Sequence, residues 1–313
     1  MAKKIPYCKI RIQTERKSRR KGKTLKDQQV AKTVLARYQL AYATICLYWK
    51  LCSNTPLKND DYDAAVSEYV EHLYAEGEGY CNATDTLASV QYYVPAIIGC
   101  LKHSWKMCKI WRAVEPPKRV RPFTPLIVLG LAGAALSLGA CDLCAILLVG
   151  FDTFMRTGEL FSLLCGLVSL YEAEAVIRLI DTKTSKRKCV DECAVVDSAL
   201  AVKALRKAMK GKPKSTTVRS LSIPKIRAML KELLNLFGLD VGAYNFYSLR
   251  RGGATSYFFK TGSMEKTLAK GRWESVATAR IYIQDAVAQA GELALSKDQV
   301  KALQLSSQAL KRL

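Results

Sequence analysis

Tyr247-Ser248-Leu249-Arg250-Arg251-Gly252-Gly253-Ala254-Thr255 is followed downstream by Gly271-Arg272-Trp273 and by Arg280-Ile281-Tyr282. Far upstream stands Arg156-Thr157-Gly158-Glu159-Leu160. Two arginines, an indole donor and a tyrosine are the side chains that breaking a phosphodiester without metal would require. During such a break, charge builds on the non-bridging oxygens. A planar guanidinium meets those oxygens with two parallel N–H bonds and keeps its proton. Arg156 and Arg250 are the candidates for this clamp. Losing one preorganised donor costs about 2.7–4 kcal/mol in comparable oxyanion sites. Tyr282 is the candidate nucleophile, and since a phenol ordinarily titrates near about 10, it needs cationic neighbours to favour the phenolate. A covalent phosphotyrosine conserves the energy of the broken bond, so rejoining needs neither ATP nor metal, and no cofactor is expected. Trp273, nine positions before Tyr282, offers an indole N–H to a phosphate oxygen.

The order and spacing of these residues resemble the tyrosine recombinase (phage-integrase-like) family. The resemblance extends over about residues 30–290 and is most specific at 154–160 and 247–282. It implies a mainly α fold with a small β-sheet, made of an N-terminal helical core-binding (SAM-like) domain and an α+β catalytic domain. It implies cleavage of double-stranded DNA through a 3′-phosphotyrosine, by a homotetramer on synapsed DNA, with the two domains gripping the duplex from opposite sides. The implied catalytic residues are Arg156, Lys183, Tyr247, Arg250, Trp273 and Tyr282. Glu159 is implied as a support behind Arg156. The hairpin lysine that protonates the leaving 5′ oxygen maps to Lys183, with Lys186 as competitor. Tyr247 occupies a place more often held by histidine, and a phenol lacks the near-neutral acid–base character of imidazole. The Ser-Leu-Arg-Arg-Gly-Gly-Ala-Thr wording resembles the recombinases of eukaryotic mobile elements such as DIRS-type retrotransposons.

Charge distribution points to the same partner. The chain of 313 residues has a net charge of +22. Residues 1–26 hold 11 Lys/Arg against one acid, and residues 178–231 hold 15 against four. Two concentrated basic regions suit a polyanion. Nucleic acid is the first candidate and an acidic membrane surface the second. The run Arg16-Lys17-Ser18-Arg19-Arg20-Lys21 reads as a nuclear import signal, a phosphate-touching arm or a solvated tail. The charged N-terminal stretch has no apolar leader, and many of the 11 cysteines lie in apolar helical segments. A nuclear or cytoplasmic, reducing compartment is therefore expected.

Length allows two domains. Residues 1–26 read as a flexible basic arm and 27–111 as a helical DNA-binding domain. Its helices are expected at Leu25–Cys52, Tyr62–Ala75, Thr84–Val94 and Ala96–Trp111. Residues 112–125 carry four of the nine prolines and read as a linker. Residues 126–296 form the expected catalytic domain and 297–313 a C-terminal helix, docked on a neighbouring copy or on its own body. The apolar stretch 126–151 reads as two short core helices meeting near Gly139–Asp142 rather than as a membrane span, because glycines and Asp142 interrupt it. Strands are expected at Leu167–Tyr171, Ala173–Asp181 and Cys189–Val196, the last two flanking a polar turn that holds Lys183 and Lys186. Helices are expected again at Ser198–Met209 and Pro224–Phe237. Cys141 and Cys144 have ligand-like spacing but no completing pair or nearby histidine, so a buried thiol pair is expected rather than a metal site. No phosphate-cradling Gly-x-x-x-x-Gly-Lys loop is present. Two other functions share this pattern: a catalytically inactive DNA-binding protein derived from a recombinase, and a type IB-like topoisomerase acting as a monomer.

Overall fold

The structure, a computed structural model, describes residues 29–53, 62–180, 192–283 and 285–313. The basic arm and the turn with Lys183 and Lys186 lie outside them. The chain divides between Lys118 and Arg119 into two compact units.

In the first unit the described helices are α1 (Lys32–Ser53), α2 (Tyr62–Ala75), α3 (Tyr80–Tyr93) and α4 (Lys102–Val114). Their inward stripes bury Ile45, Val66, Val70, Leu87, Val90 and Trp111. The helix expected from Ala96 is split. Pro95–Ile97 forms one 3-10 turn, Gly99 turns the chain at φ +86°, and α4 begins only at Lys102. The cause lies on another helix: the Asp63 carboxylate of α2 accepts the backbone N–H groups of His103 and Ser104, each at 2.9 Å. It thereby satisfies first-turn donors that a helix cannot satisfy itself. From there Leu101, Ser104, Cys108 and Trp111 fall on one buried face.

The second unit is built round two apolar helices, α5 (Pro125–Ser137) and α6 (Cys141–Thr153). Both are buried on nearly every side, which explains their lack of polar–apolar periodicity. Gly139 breaks them apart in the left-handed region at φ +75°. No described helix is long and apolar enough to cross a membrane. Thr124 caps α5 by accepting the Ile127 N–H, and Pro125 stands at a first-turn position, where its missing donor costs nothing. Just before it, the proline-rich stretch is tied down. Arg121 N–H donates to Ala243 O at 2.7 Å, Phe123 N–H donates to Ser248 O at 3.2 Å, and the Phe123 ring stacks on Tyr244.

The short helix α7 (Thr157–Phe161) leads into an antiparallel sheet of three strands in order, β1 (Val168–Leu170), β2 (Ala175–Leu179) and β3 (Glu192–Val196). Val168 faces Ile177, which faces Ala194. Period-two alternation puts Ala175, Ile177 and Leu179 inside. Helices α8 (Ala199–Met209), α9 (Ile223–Leu236), α10 (Tyr247–Thr261), α11 (Met264–Gly271), α12 (Val276–Tyr282), α13 (Asp285–Leu293) and α14 (Lys297–Ser307) follow. The C-terminal helix lies on its own unit. Leu303 of α14 and Leu310 just beyond it are buried, and α14 sits so close to α5 that a Cβ on Gly133 would lie 2.1 Å from Ser306 O. Leu305 of the same helix is exposed.

Candidate active site

Helix α10 enters the core with Arg250 and Arg251 inward, against the usual preference of charged residues for solvent. Two glycines make this possible. A Cβ on Gly252 would stand 2.0 Å from Phe123 O, and one on Gly253 would stand 1.9 Å from Phe151 O. The helix therefore lies backbone-to-backbone against its neighbours, and Arg250 and Arg251 are only 1% and 2% exposed. Asn245 Oδ1 accepts the Tyr247 N–H at 2.8 Å and holds the first turn.

Arg250 is fixed by two backbone carbonyls. Its Nη1 donates to Phe154 O, and its Nη2 donates to Gly271 O at 3.1 Å. Phe154 is left-handed at φ +52°, which ends α6 immediately before the Arg156 segment. The Arg250 guanidinium carbon lies 4.9 Å from the Trp273 ring centre and 5.0 Å from that of Tyr282, inside cation–π range. The two rings stack with centres 4.7 Å apart. Tyr247 O–H donates to the Tyr282 hydroxyl oxygen at 2.9 Å. Thr255 Oγ1 donates to Tyr282 O at 3.3 Å and anchors the backbone of the candidate nucleophile.

Arg156 joins this group through Glu159. Its own N–H donates to Glu159 Oε2 at 2.9 Å and its Nη1 to Oε1 at 2.7 Å. Arg272 Nη2 reaches the same carboxylate, donating to Oε2 at 2.8 Å. Helix α11, which ends at Gly271, is fastened by Lys270, whose Nζ pairs with Asp152 and Asp197.

The structure thus assembles Arg250, Trp273, Tyr282 and Tyr247 in direct contact, with Arg156 joined to them through Glu159 and Arg272. Lys183 and Lys186 lie outside the described residues. Two further arginines, Arg251 and Arg272, are buried in this cluster although their residue type and spacing do not mark them for it. Adjacent arginines and an arginine after a glycine have the local pattern of a solvated surface, and the distant elements that bury them leave no trace in that pattern. The Gly-Gly pair after Arg251 was the available signal, since it permits the close packing that draws α10 inward.

Burial lowers Arg250 from the usual guanidinium range to about 10; nearby Tyr282 opposes the shift, while Arg156 and Arg272 add to it. Burial also lowers Arg251 and Arg272. All remain protonated at neutral pH. Among the described residues, Arg250 Nε, Arg251 Nε and Nη2, Arg272 Nε and Nη1, and Trp273 Nε1 are buried without a hydrogen-bond partner. Buried donors normally find acceptors. This excess of positive donors suits an anion bearing several oxygens. Two open clefts flank the cluster. One of about 590 Å³ is lined in part by Arg156 and Arg178, and one of about 470 Å³ by Arg227, Lys231 and Tyr247.

Solved structures share this architecture at low sequence identity. XerH site-specific recombinase bound to its palindromic difH substrate matches at 12% identity and a TM-score of 0.58, over 85% of this chain and 81% of that one. A lambda integrase dimer bound to a COC′ core site matches at 16% and 0.56, over 91% and 83%. The Tn1549 transposon integrase in complex with circular intermediate DNA matches at 12% and 0.57, over 88% and 97%. No protein-family model matches the sequence, and none of the curated proteins does. The chain has the tyrosine recombinase fold, mainly helical with a small sheet.

Proposed function

We propose that this protein breaks and rejoins double-stranded DNA through a 3′-phosphotyrosine. The observation that carries the reading is the convergence of Tyr282, Trp273 and the buried Arg250 guanidinium within 5.0 Å of one another, with Arg156 joined through the Glu159 carboxylate that it shares with Arg272, the neighbour of Trp273. The Tyr282 oxygen attacks phosphorus, and the P–O5′ bond breaks. The phenolic proton departs to solvent while Tyr247 donates to the Tyr282 oxygen. Arg156 and Arg250 compensate the charge that grows on the non-bridging oxygens, and the Trp273 N–H, turned toward the phosphate on binding, adds a neutral donor. Lys183 is the proposed donor to the leaving 5′ oxygen, with Lys186 as its competitor. Rejoining runs the same steps in reverse, so neither metal nor ATP is consumed.

The DNA-bound state of the fold's neighbours supports nucleic acid as the partner, as do the basic stretches of the chain. Lambda integrase occurs as a tetramer on a Holliday junction, and a homotetramer on synapsed DNA is the assembly proposed here.

The test uses a duplex that the protein itself selects from a random pool, with a 5′-bridging phosphorothiolate at the scissile bond. The departing thiol rejoins poorly, so a covalent adduct accumulates. Wild type is expected to form the adduct, and Tyr282→Phe to form none while keeping its affinity for the duplex. A second reading, a DNA-binding protein without catalysis, is favoured by Tyr247, a group without near-neutral acid–base character beside the nucleophile. Tight binding with no adduct from wild type would establish that reading instead. Relaxation of supercoiled plasmid of any sequence by a monomer would indicate a type IB-like topoisomerase.

A further inference from the structure

We propose that Arg272 is a positioning residue for strand cleavage, acting on Arg156 through the Glu159 carboxylate that the two guanidinium groups share. The inference rests on the reading of Arg156 as a phosphate-binding group.

Geometry gives the first reason. Glu159 Oε1 accepts from Arg156 Nη1 at 2.7 Å, and Oε2 accepts from Arg272 Nη2 at 2.8 Å. A carboxylate held at both oxygens cannot rotate about its last bond, so its hold on Arg156 has one geometry. Exposure orders the three groups. The side chains of Arg272 and Glu159 are 8% and 10% exposed, whereas that of Arg156 is 34% exposed. The two hidden groups form a base, and Arg156 is the one whose head faces solvent, where a phosphate would arrive.

Charge gives the second reason. A lone carboxylate on Arg156 would cancel most of the attraction that a phosphate feels there. Arg272 draws off part of that negative charge and leaves Arg156 the stronger binder of a phosphate oxygen. The neighbouring charges are Arg250, which adds to this positive field, and Glu192, which opposes it.

Backbone conformation gives the third. Arg272 adopts φ +54°, a left-handed geometry that glycine takes freely and that other residues adopt only at a cost. An arginine held where glycine would be easier indicates that its side chain is in use. It also precedes Trp273, and Arg250 Nη2 bonds the carbonyl of Gly271 on its other side. The Arg272–Glu159 pair therefore fixes the segment carrying the indole to the helix start carrying Arg156.

A double-mutant cycle on the phosphorothiolate duplex tests this, since the better leaving group keeps slow variants measurable. Arg272→Gly should slow adduct formation about 10- to 100-fold, the range seen when a residue that orients a metal ligand is removed. In an Arg156→Ala background the same change should slow the reaction by a clearly smaller factor, because only its hold on the Trp273 segment remains. Arg272→Lys keeps the charge without the fork and should fall between wild type and Arg272→Gly; it also replaces Arg272→Gly in the cycle if the latter does not fold. Equal losses in both backgrounds, or wild-type speed from Arg272→Gly, would overturn the coupling alone. No adduct from wild type would overturn the proposed function and the coupling with it.

Discussion

Tyr247 and Tyr282 place two phenols in hydrogen-bond contact at the mouth of a cationic cluster. Burial pushes Tyr247 up to about 12; the bond to Tyr282 adds to this, while Arg250 and Arg251 oppose it. The neutral phenol is thus the form the fold favours. Its contribution is complete below pH about 10, the value in the unfolded chain, and disappears as pH rises through about 12. Tyr247→Phe should therefore lower stability by about 0.5–1 kcal/mol at pH 8, a modest figure because the residue is 38% exposed. Urea unfolding should show the two proteins converging as pH approaches 12. A gap that widens with pH would contradict the neutral-donor role. Residue identity made this part of the site legible: Arg156, Arg250, Trp273, Tyr247 and Tyr282 stand out by type and interval. Arg251 and Arg272 do not, because burial is conferred by helices far away in sequence.

At the scale of elements, the way α10 lies against its neighbours governs the site. Gly253→Ala would drive a methyl group to 1.9 Å from Phe151 O and 2.8 Å from the Phe154 ring. Neither is the free end of a flexible chain, so α10 must back away from α6. A loss of about 3 kcal/mol is expected, at the upper end for overpacking, read as a lowered urea midpoint together with a loss of adduct. Gly158→Ala is the control: nothing lies within 4 Å of its would-be Cβ, and stability should hold or rise by about 0.4–1 kcal/mol. Helical periodicity made most elements legible, α2 (Tyr62–Ala75) to the residue. The break before α4 was not, because its cause is the Asp63 carboxylate on another helix. The five residues of α7 are too few to show in periodicity, and its start depends on Glu159 folding back onto Arg156 N–H.

For the molecule as a whole, a net charge of +22 exceeds what a solvated surface needs. If that charge meets a DNA backbone, binding must release condensed counterions. Affinity for duplex DNA should then fall on the order of 10³-fold or more between about 50 and about 200 mM salt, as for proteins making 6–10 phosphate contacts. A filter-binding or anisotropy titration across salt measures it, and a flat response would contradict a phosphate-dominated interface. This much was legible from composition, because charge adds up without reference to fold.

The stacking of Trp273 on Tyr282 beneath Arg250 also has an optical consequence. Trp49, Trp105 and Trp111 all fall in the first unit, so Trp273 is the sole indole of the second. Its ultraviolet emission depends on the ring lying against it and on the cation above. A phenol that swings away, or becomes an ester of phosphorus, alters that quenching. The molecule thus carries an unlabelled optical indicator of where the Tyr282 phenol stands.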